Sequence, residues 1–174
     1  MKLHFLIYFL FGEIIKEEQI MKKEVTGVIT LEDARIGFKN FAGTEGPYNR
    51  KGDRNFAVFL DEDTARELEA EGWNVKWPKE RDDLNPDVDS REPYLAVAVS
   101  FKGVPPRITI IRGDQHDKLE EVDLEMLDWS RITKADLILR PYNWTVNGQS
   151  GVKAYLKSGY FTLDVDELEM KYGF

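Results

Sequence analysis

The stretch KADLILRPYNWTVNGQSGVKAYLK, residues 134–157, reads as a hairpin with two unlike faces. Asn147-Gly148 supplies the turn, because a tight type I′ turn needs positive φ at both central residues and Asn-Gly tolerates that at least cost. On the incoming strand Ala135, Leu137 and Leu139 alternate with Lys134, Asp136, Ile138, Arg140, Tyr142 and Trp144. On the return Val152, Ala154 and Leu156 alternate with Lys153, Tyr155 and Lys157. A two-residue loop sets Tyr142 opposite Lys153, Arg140 opposite Tyr155 and Leu139 opposite Leu156. A four-residue loop keeps the same faces, whereas an odd loop without a bulge would carry Leu156 in among the charged positions. The pattern therefore predicts one apolar face and one bearing Arg140, Tyr142, Trp144, Lys153, Tyr155 and Lys157. Such a face is either a solvated exterior or a grip for a flexible polyanion, in which flat rings stack and cations pair with the backbone charge. The hairpin alone leaves both open.

Around it stands a chain of 174 residues, 42% hydrophobic and 12% aromatic, the size and composition of one globular domain with a real core. It has no cysteine, which removes disulfides and thiolate metal sites, and only His4 and His116 offer imidazole, which argues against a zinc enzyme. The net charge of −8 argues at first against an anionic partner. The charge is segregated, however. Residues 61–92 hold 12 acidic side chains against 5 basic, whereas residues 131–160 hold 5 basic against 1 acidic. The strands are basic and the connections acidic, which suits a groove whose surroundings repel, and equally suits solubilising loops.

The opening MKLHFLIYFLFGEII is too short an apolar run to span a bilayer, which takes roughly 20 residues, and it lacks a small-residue cleavage site. Met21-Lys22-Lys23 directly precedes the first convincing strand, so residues 1–20 are expected to be a non-native or disordered extension and residues 21–174 the single domain. Between residues 24 and 41 the inward parity moves from Val25, Ile29 and Leu31 to Ala34, Ile36 and Phe38, which predicts a bulge near Glu32-Asp33. Residues 40–52, NFAGTEGPYNRKG, form a long, mobile, basic loop around Tyr48, either a plain connection or a flap over a bound strand. RNFAVFL (residues 54–60) is a strand. DEDTARELEAEG (residues 61–72) is a helix whose early acids complement its dipole and whose glycine stops it. A short strand at residues 73–77 leads into a polar, proline-bounded segment that is expected to be disordered.

YLAVAVSF (residues 94–101) is the clearest strand: Leu95, Val97, Val99 and Phe101 point one way, and Tyr94, Ala96, Ala98 and Ser100 the other, a mostly small face that predicts close packing or a ligand on that side. RITIIR (residues 107–112) buries Ile108 and Ile110. Residues 113–130 read as an acidic connection with a short helix over 123–129. The hairpin's second strand reaches toward Leu163, and DVDELEMKYGF ends the chain as a short helix or tail.

No nucleophile signature, phosphate-cradling glycine loop or metal-binding histidine pair is present, and no cofactor is implied. Scattered carboxylates give a divalent-metal nuclease no fixed spacing to rest on. About six strands, one well-placed helix and long loops suit a mainly β fold, an elaborated Greek-key barrel of the oligonucleotide-binding type with one or two short helices. The motifs FKNF, YNRKGDRNF, GWNVK, RPYNW and GVKAYLK, within a match covering residues 25–171, resemble a family of small bacteriophage and prophage proteins similar to phage single-stranded-DNA-binding proteins with such a barrel. The resemblance implies a non-enzymatic role in phage replication or recombination in the host cytoplasm, with single-stranded DNA and phage replication or recombination proteins as partners, no membrane, and homo-oligomerisation left open. The acidic terminus ending in Phe174 resembles the partner-recruiting tails of bacterial single-strand binders; a docked helix is the other reading.

The residues expected to bind are Arg140, Tyr142, Trp144, Lys153, Tyr155 and Lys157 from the hairpin, with Lys39, Phe41, Tyr48, Arg50, Arg54 and Phe56 from the first loop region. The rival expectation is a phage structural or assembly protein that uses the same face between subunits.

Overall fold

The computed structural model describes residues 24–80, 90–166 and 171. In chain order they form β1 (Ile29–Asn40), β2 (Arg54–Phe59), α1 (Glu62–Glu71), β3 (Val75–Lys76), β4 (Tyr94–Val99), β5 (Arg107–Arg112), β6 (Gln115–Leu119), a 3-10 turn (Glu121–Asp123), α2 (Met126–Trp129), β7 (Ile132–Val146) and β8 (Gln149–Leu163). Neighbouring strands run β3-β4-β2-β1-β7-β8-β5-β6, and β4 also pairs with β8. That extra pairing closes β1, β2, β4, β8 and β7 into a five-stranded barrel whose one parallel seam is β4 against β8. The fold is the oligonucleotide-binding barrel expected from the sequence. Its elaborations are the β5-β6 ribbon on the free edge of β8 and the short β3 on β4.

The hairpin has the predicted register. Leu139 pairs with Leu156, Arg140 with Tyr155 and Tyr142 with Lys153 around the two-residue Asn147-Gly148 turn, in which both residues have positive φ. A bulge between Ile138 and Leu139, opposite Lys157, keeps Ala135 and Leu137 facing inward together with Phe161 and Leu163. The expected bulge in β1 is also present: pairing with β7 slips between Leu31 and Ala34, and Asp33 takes φ 50°. Asp136 Oδ1 accepts the Asp33 N–H at 2.8 Å, and Lys134 Nζ donates to Asp33 Oδ1 at 2.9 Å.

A second, unexpected bulge lies between Gly37 and Asn40, with Phe38 at φ 47°. It reverses the inward placement expected for Phe38, which is 72% exposed. Lys39 then turns toward α2, and Phe41 enters the core.

The inner faces supply that core. Phe41 and Phe56 stack at 5.3 Å and both meet Phe161 edge-on, while Val58, Leu95, Val97, Leu137, Leu139 and Leu156 close around them. α1 covers one end with Ala65 and Leu68. Asp61 caps it by accepting the Thr64 N–H, and Gly72, at φ 108°, ends it in a paired-bond cap in which Gly72 donates to Glu69 and Trp73 to Leu68.

Two further expectations need correction. Residues 113–130 hold the expected short helix near their end, as α2, but begin as a strand, because Gly113-Asp114 turns β5 back into β6, with Arg112 opposite Gln115. Residues 40–52 are not a loose loop, because hydrogen bonds tie them at several points, described below. Residues 1–20 and the centre of the polar segment before Pro93 lie outside the described residues, as does most of the acidic terminus. Among the described residues no helix is long and apolar enough to cross a membrane.

Candidate functional site

One groove of about 820 Å³ opens on the outer face of the barrel. Its floor is the small side of β4, Ala96, Ala98 and Ser100, where short side chains let a ligand approach the sheet closely. One wall is the connection from β1 to β2, with Tyr48, Asn49 and Asn55; the other is the β7-β8 hairpin, with Trp144, Lys153 and Tyr155. The parallel pairing of Ala98 with Tyr155 joins floor to wall.

The β1-β2 connection holds its shape through side-chain amides and one carboxylate. Asn49 Nδ2 donates to the carbonyls of Thr44, Arg50 and Asp53, while its Oδ1 accepts from Asn55 Nδ2 at 2.6 Å. Asn40 exchanges two hydrogen bonds with Thr44. At the base, Asp128 accepts the N–H groups of Phe41 and Ala42 at 2.7 and 2.8 Å. The tight turn from Gly46 to Asn49, with Pro47 at its second position, lifts Tyr48 fully into solvent.

The hairpin wall is an aromatic cluster threaded with cations. Tyr142 meets Tyr155 edge-on at 6.0 Å; Arg140 lies 5.8 Å and Lys153 5.4 Å from the Tyr155 ring centre. Trp144 pairs across the ribbon with Gly151, and a Cβ there would come within 2.6 Å of the indole. Glycine is what lets the indole lie against the strand with its far side free, at 37% exposure.

Charge in the groove is mixed. Lys153 and Lys102 are present, and Arg54 pairs with Glu121 at 2.7 Å beside the Phe101 ring, its buried Nε having no partner. Among the described residues no group of three or more His, Asp or Glu side chains converges as a metal site.

Of the twelve residues expected from the sequence, Tyr48, Arg54, Trp144, Lys153 and Tyr155 line the groove. Arg140 and Tyr142 flank it through Tyr155, Arg50 sits beside Asn49 in the tied connection, and Lys157 is exposed farther along β8. Three are corrected. Phe41 and Phe56 are 0% and 2% exposed and are core rings, so no base can stack on them. Lys39 donates to the carbonyls of Leu127 and Ser130 at 2.8 and 2.7 Å, at the C-terminal end of α2. Burial pushes its pKa below the usual lysine value, against an opposing pull from Asp128. Asn55, Lys102 and Gly151 were missed. Gly151 carried the signal, since a glycine opposite a tryptophan in a strand marks a close approach.

A family model described as "Putative phage ssDNA-binding domain" matches residues 17–173. Among solved structures, the single-stranded DNA-binding protein from bacteriophage Enc34 in complex with ssDNA is similar at a TM-score of 0.51 and 11% identity, over 83% of this chain and 94% of that one. A C-terminal truncation of the Enc34 protein gives 0.50 at 12% identity over the same shares. gp2.5, a single-stranded DNA-binding protein encoded by bacteriophage T7, gives 0.38 at 12% identity over 81% and 88%. The two Enc34 likenesses concern the fold. No curated protein matches the sequence.

Proposed function

The chain belongs to the phage single-stranded-DNA-binding domain family, and from that premise we propose that it holds single-stranded DNA in the groove over β4, without strong sequence preference. Tyr48, Trp144 and Tyr155 offer ring faces to bases; Lys153, Lys102 and Arg140 pair with phosphates, with Arg50, Arg54 and Lys157 supporting along the path. Every base has a π-face, so stacking tolerates sequence, and each such contact is worth about 1–3 kcal/mol.

The observation that carries this reading is the convergence of Tyr48 with Trp144, Lys153 and Tyr155, from segments far apart in sequence, on a floor of alanine and serine. It also matches the general use of oligonucleotide-binding barrels, which bind through the face of their second and third strands and the loops joining strands one to two and four to five. Here those are β2 and β4, the Tyr48 connection and the Asn147-Gly148 hairpin. The biological setting proposed is phage DNA replication or recombination in the host cytoplasm, with replication or recombination proteins as further partners.

Titrating intrinsic tryptophan fluorescence with oligo-dT at several salt concentrations tests the proposal. Quenching with an affinity that falls steeply with salt is expected, because each neutralised phosphate releases counterions. Salt-insensitive self-association without oligonucleotide binding would instead favour a structural or assembly role for the same face.

A further inference from the structure

β1 carries an exposed aromatic ring on a strained backbone, and neither the family nor the groove accounts for it. Phe38 has φ 47° and is 72% exposed. A bulky residue at positive φ is a rare conformer that costs free energy, and an exposed phenyl forgoes burial as well. The ring is nevertheless held in place. Phe59 and Tyr94 meet it edge-on at 5.7 and 5.9 Å. Phe59 is itself seated on Gly37, where a Cβ would lie 2.6 Å from its ring, and Arg35 covers it at 5.7 Å. The result is a supported aromatic platform.

Its position follows from register. On the outer faces of β2 and β4, Asn55 pairs with Ala98, Ala57 with Ala96 and Phe59 with Tyr94. Asn55, Ala98 and Ala96 line the groove, and the Phe59-Tyr94 row is the next outward row, about 7 Å farther along the strands. The platform therefore continues the groove floor. Arg35 is already paired with Glu92, and the exposed Lys76 of β3 stands directly opposite Tyr94, so a cation flanks the rings. Three rings make a surface the size of a base and far below the roughly 800 Å² per partner that a stable protein interface covers.

We propose that Phe38, backed by Phe59 and Tyr94, is a second base-stacking site on which a single strand leaving the Ala96 end of the groove places a nucleobase. This rests on the groove reading and extends it: short oligonucleotides occupy the groove alone, and longer ones reach Phe38.

The test uses Phe38→Gly, which removes the ring while suiting the positive φ, and Phe38→Asn, which also tolerates that backbone and serves if the glycine variant folds poorly. Each is titrated with oligo-dT of increasing length beside wild type and Trp144→Ala. The expected result is a roughly tenfold loss for long oligonucleotides, the size of one stacking contact. Affinity for the shortest binding oligonucleotide should not change, nor should the slope of its logarithm against log salt. Trp144→Ala should weaken all lengths. Unchanged long-oligonucleotide affinity in Phe38→Gly or Phe38→Asn, with Trp144→Ala still weakened, overturns the platform and leaves the groove standing. Unchanged binding in Trp144→Ala as well overturns the groove reading beneath it. Self-association of the wild type that Phe38→Gly abolishes, with DNA affinity intact, assigns the ring to a contact between copies and also overturns the proposal.

Discussion

Two of the aromatic clusters in the barrel are of similar size and opposite exposure. Phe41, Phe56 and Phe161 meet at centroid distances of 5.3 to 6.0 Å inside the barrel, while Tyr142, Tyr155 and Trp144 stand on its outside, Tyr142 and Tyr155 at 6.0 Å. The first is sealed by aliphatic neighbours and lacks cations; the second carries Arg140 and Lys153 against the Tyr155 ring. The difference shows that an aromatic residue next to a basic one in sequence is no guide to function until strand parity is fixed. FKNF and RNF place Phe41 and Phe56 beside Lys39 and Arg54, yet the pleat and the Phe38 bulge send the rings inward.

If the division is correct, substitutions on the two sides should have crossed effects. Phe56→Ala should cost about 3–5 kcal/mol of folding stability, the range for truncating a buried phenylalanine, measured by urea unfolding. The fraction that remains folded should bind oligo-dT as before. Trp144→Ala combined with Tyr155→Ala should cost about 2–6 kcal/mol of oligonucleotide affinity, the sum of two stacking contacts, and should leave the unfolding midpoint nearly unmoved. A double variant that unfolds easily yet binds normally would erase the distinction.

A smaller effect probes the wall between the clusters. Asp128→Ala leaves the Phe41 and Ala42 N–H groups without their carboxylate and should cost about 1.5–3 kcal/mol, the worth of hydrogen bonds to a charged group. Amide hydrogen exchange should quicken at the base of the Tyr48 connection. In the groove, Glu121→Gln frees Arg54 from its carboxylate partner and should tighten oligonucleotide binding and steepen its salt dependence by up to one phosphate's worth.

The smallest effect expected is at Asp61, the N-cap of α1. The Thr64 hydroxyl and N–H hold its carboxyl below the usual carboxylate range. A lowered folded-state pKa gives stability that is present above the ordinary carboxylate pKa and is lost as pH falls through the lowered one. Asp61→Ala should therefore lower Tm slightly at neutral pH and flatten the acid side of the stability profile, and Tm scans between acidic and neutral pH check it.

Much of this arrangement was legible in the residues. The hairpin register followed from parity and Asn147-Gly148, because one apolar face admits one even register. The Asp33 bulge followed from the change of parity across Glu32-Asp33, and the small side of β4 from Ala96, Ala98 and Ser100. β6 escaped because QHDKL offers only Leu119 to a core and no alternation, although Gly113-Asp114 is a hairpin signal in its own right. Phe38, Lys39 and Phe41 were misplaced together. A bulge shifts everything after it by one position, and FKNF alternates as well with the bulge as without it. Groove membership was beyond reach for Asn55 and Lys102, since it depends on which strands close the barrel.

The most direct test of the central claim, that single-stranded DNA lies over β4 between the Tyr48 connection and the β7-β8 hairpin, is ultraviolet crosslinking of bound oligo-dT with the attached residues mapped by mass spectrometry. Trp129 and Tyr160, exposed but absent from the groove lining, serve as internal controls. Crosslinks at Trp144, Tyr155 and Tyr48 are predicted. Crosslinks concentrated at Trp129 or Tyr160, with those three rings unmodified, would contradict the account.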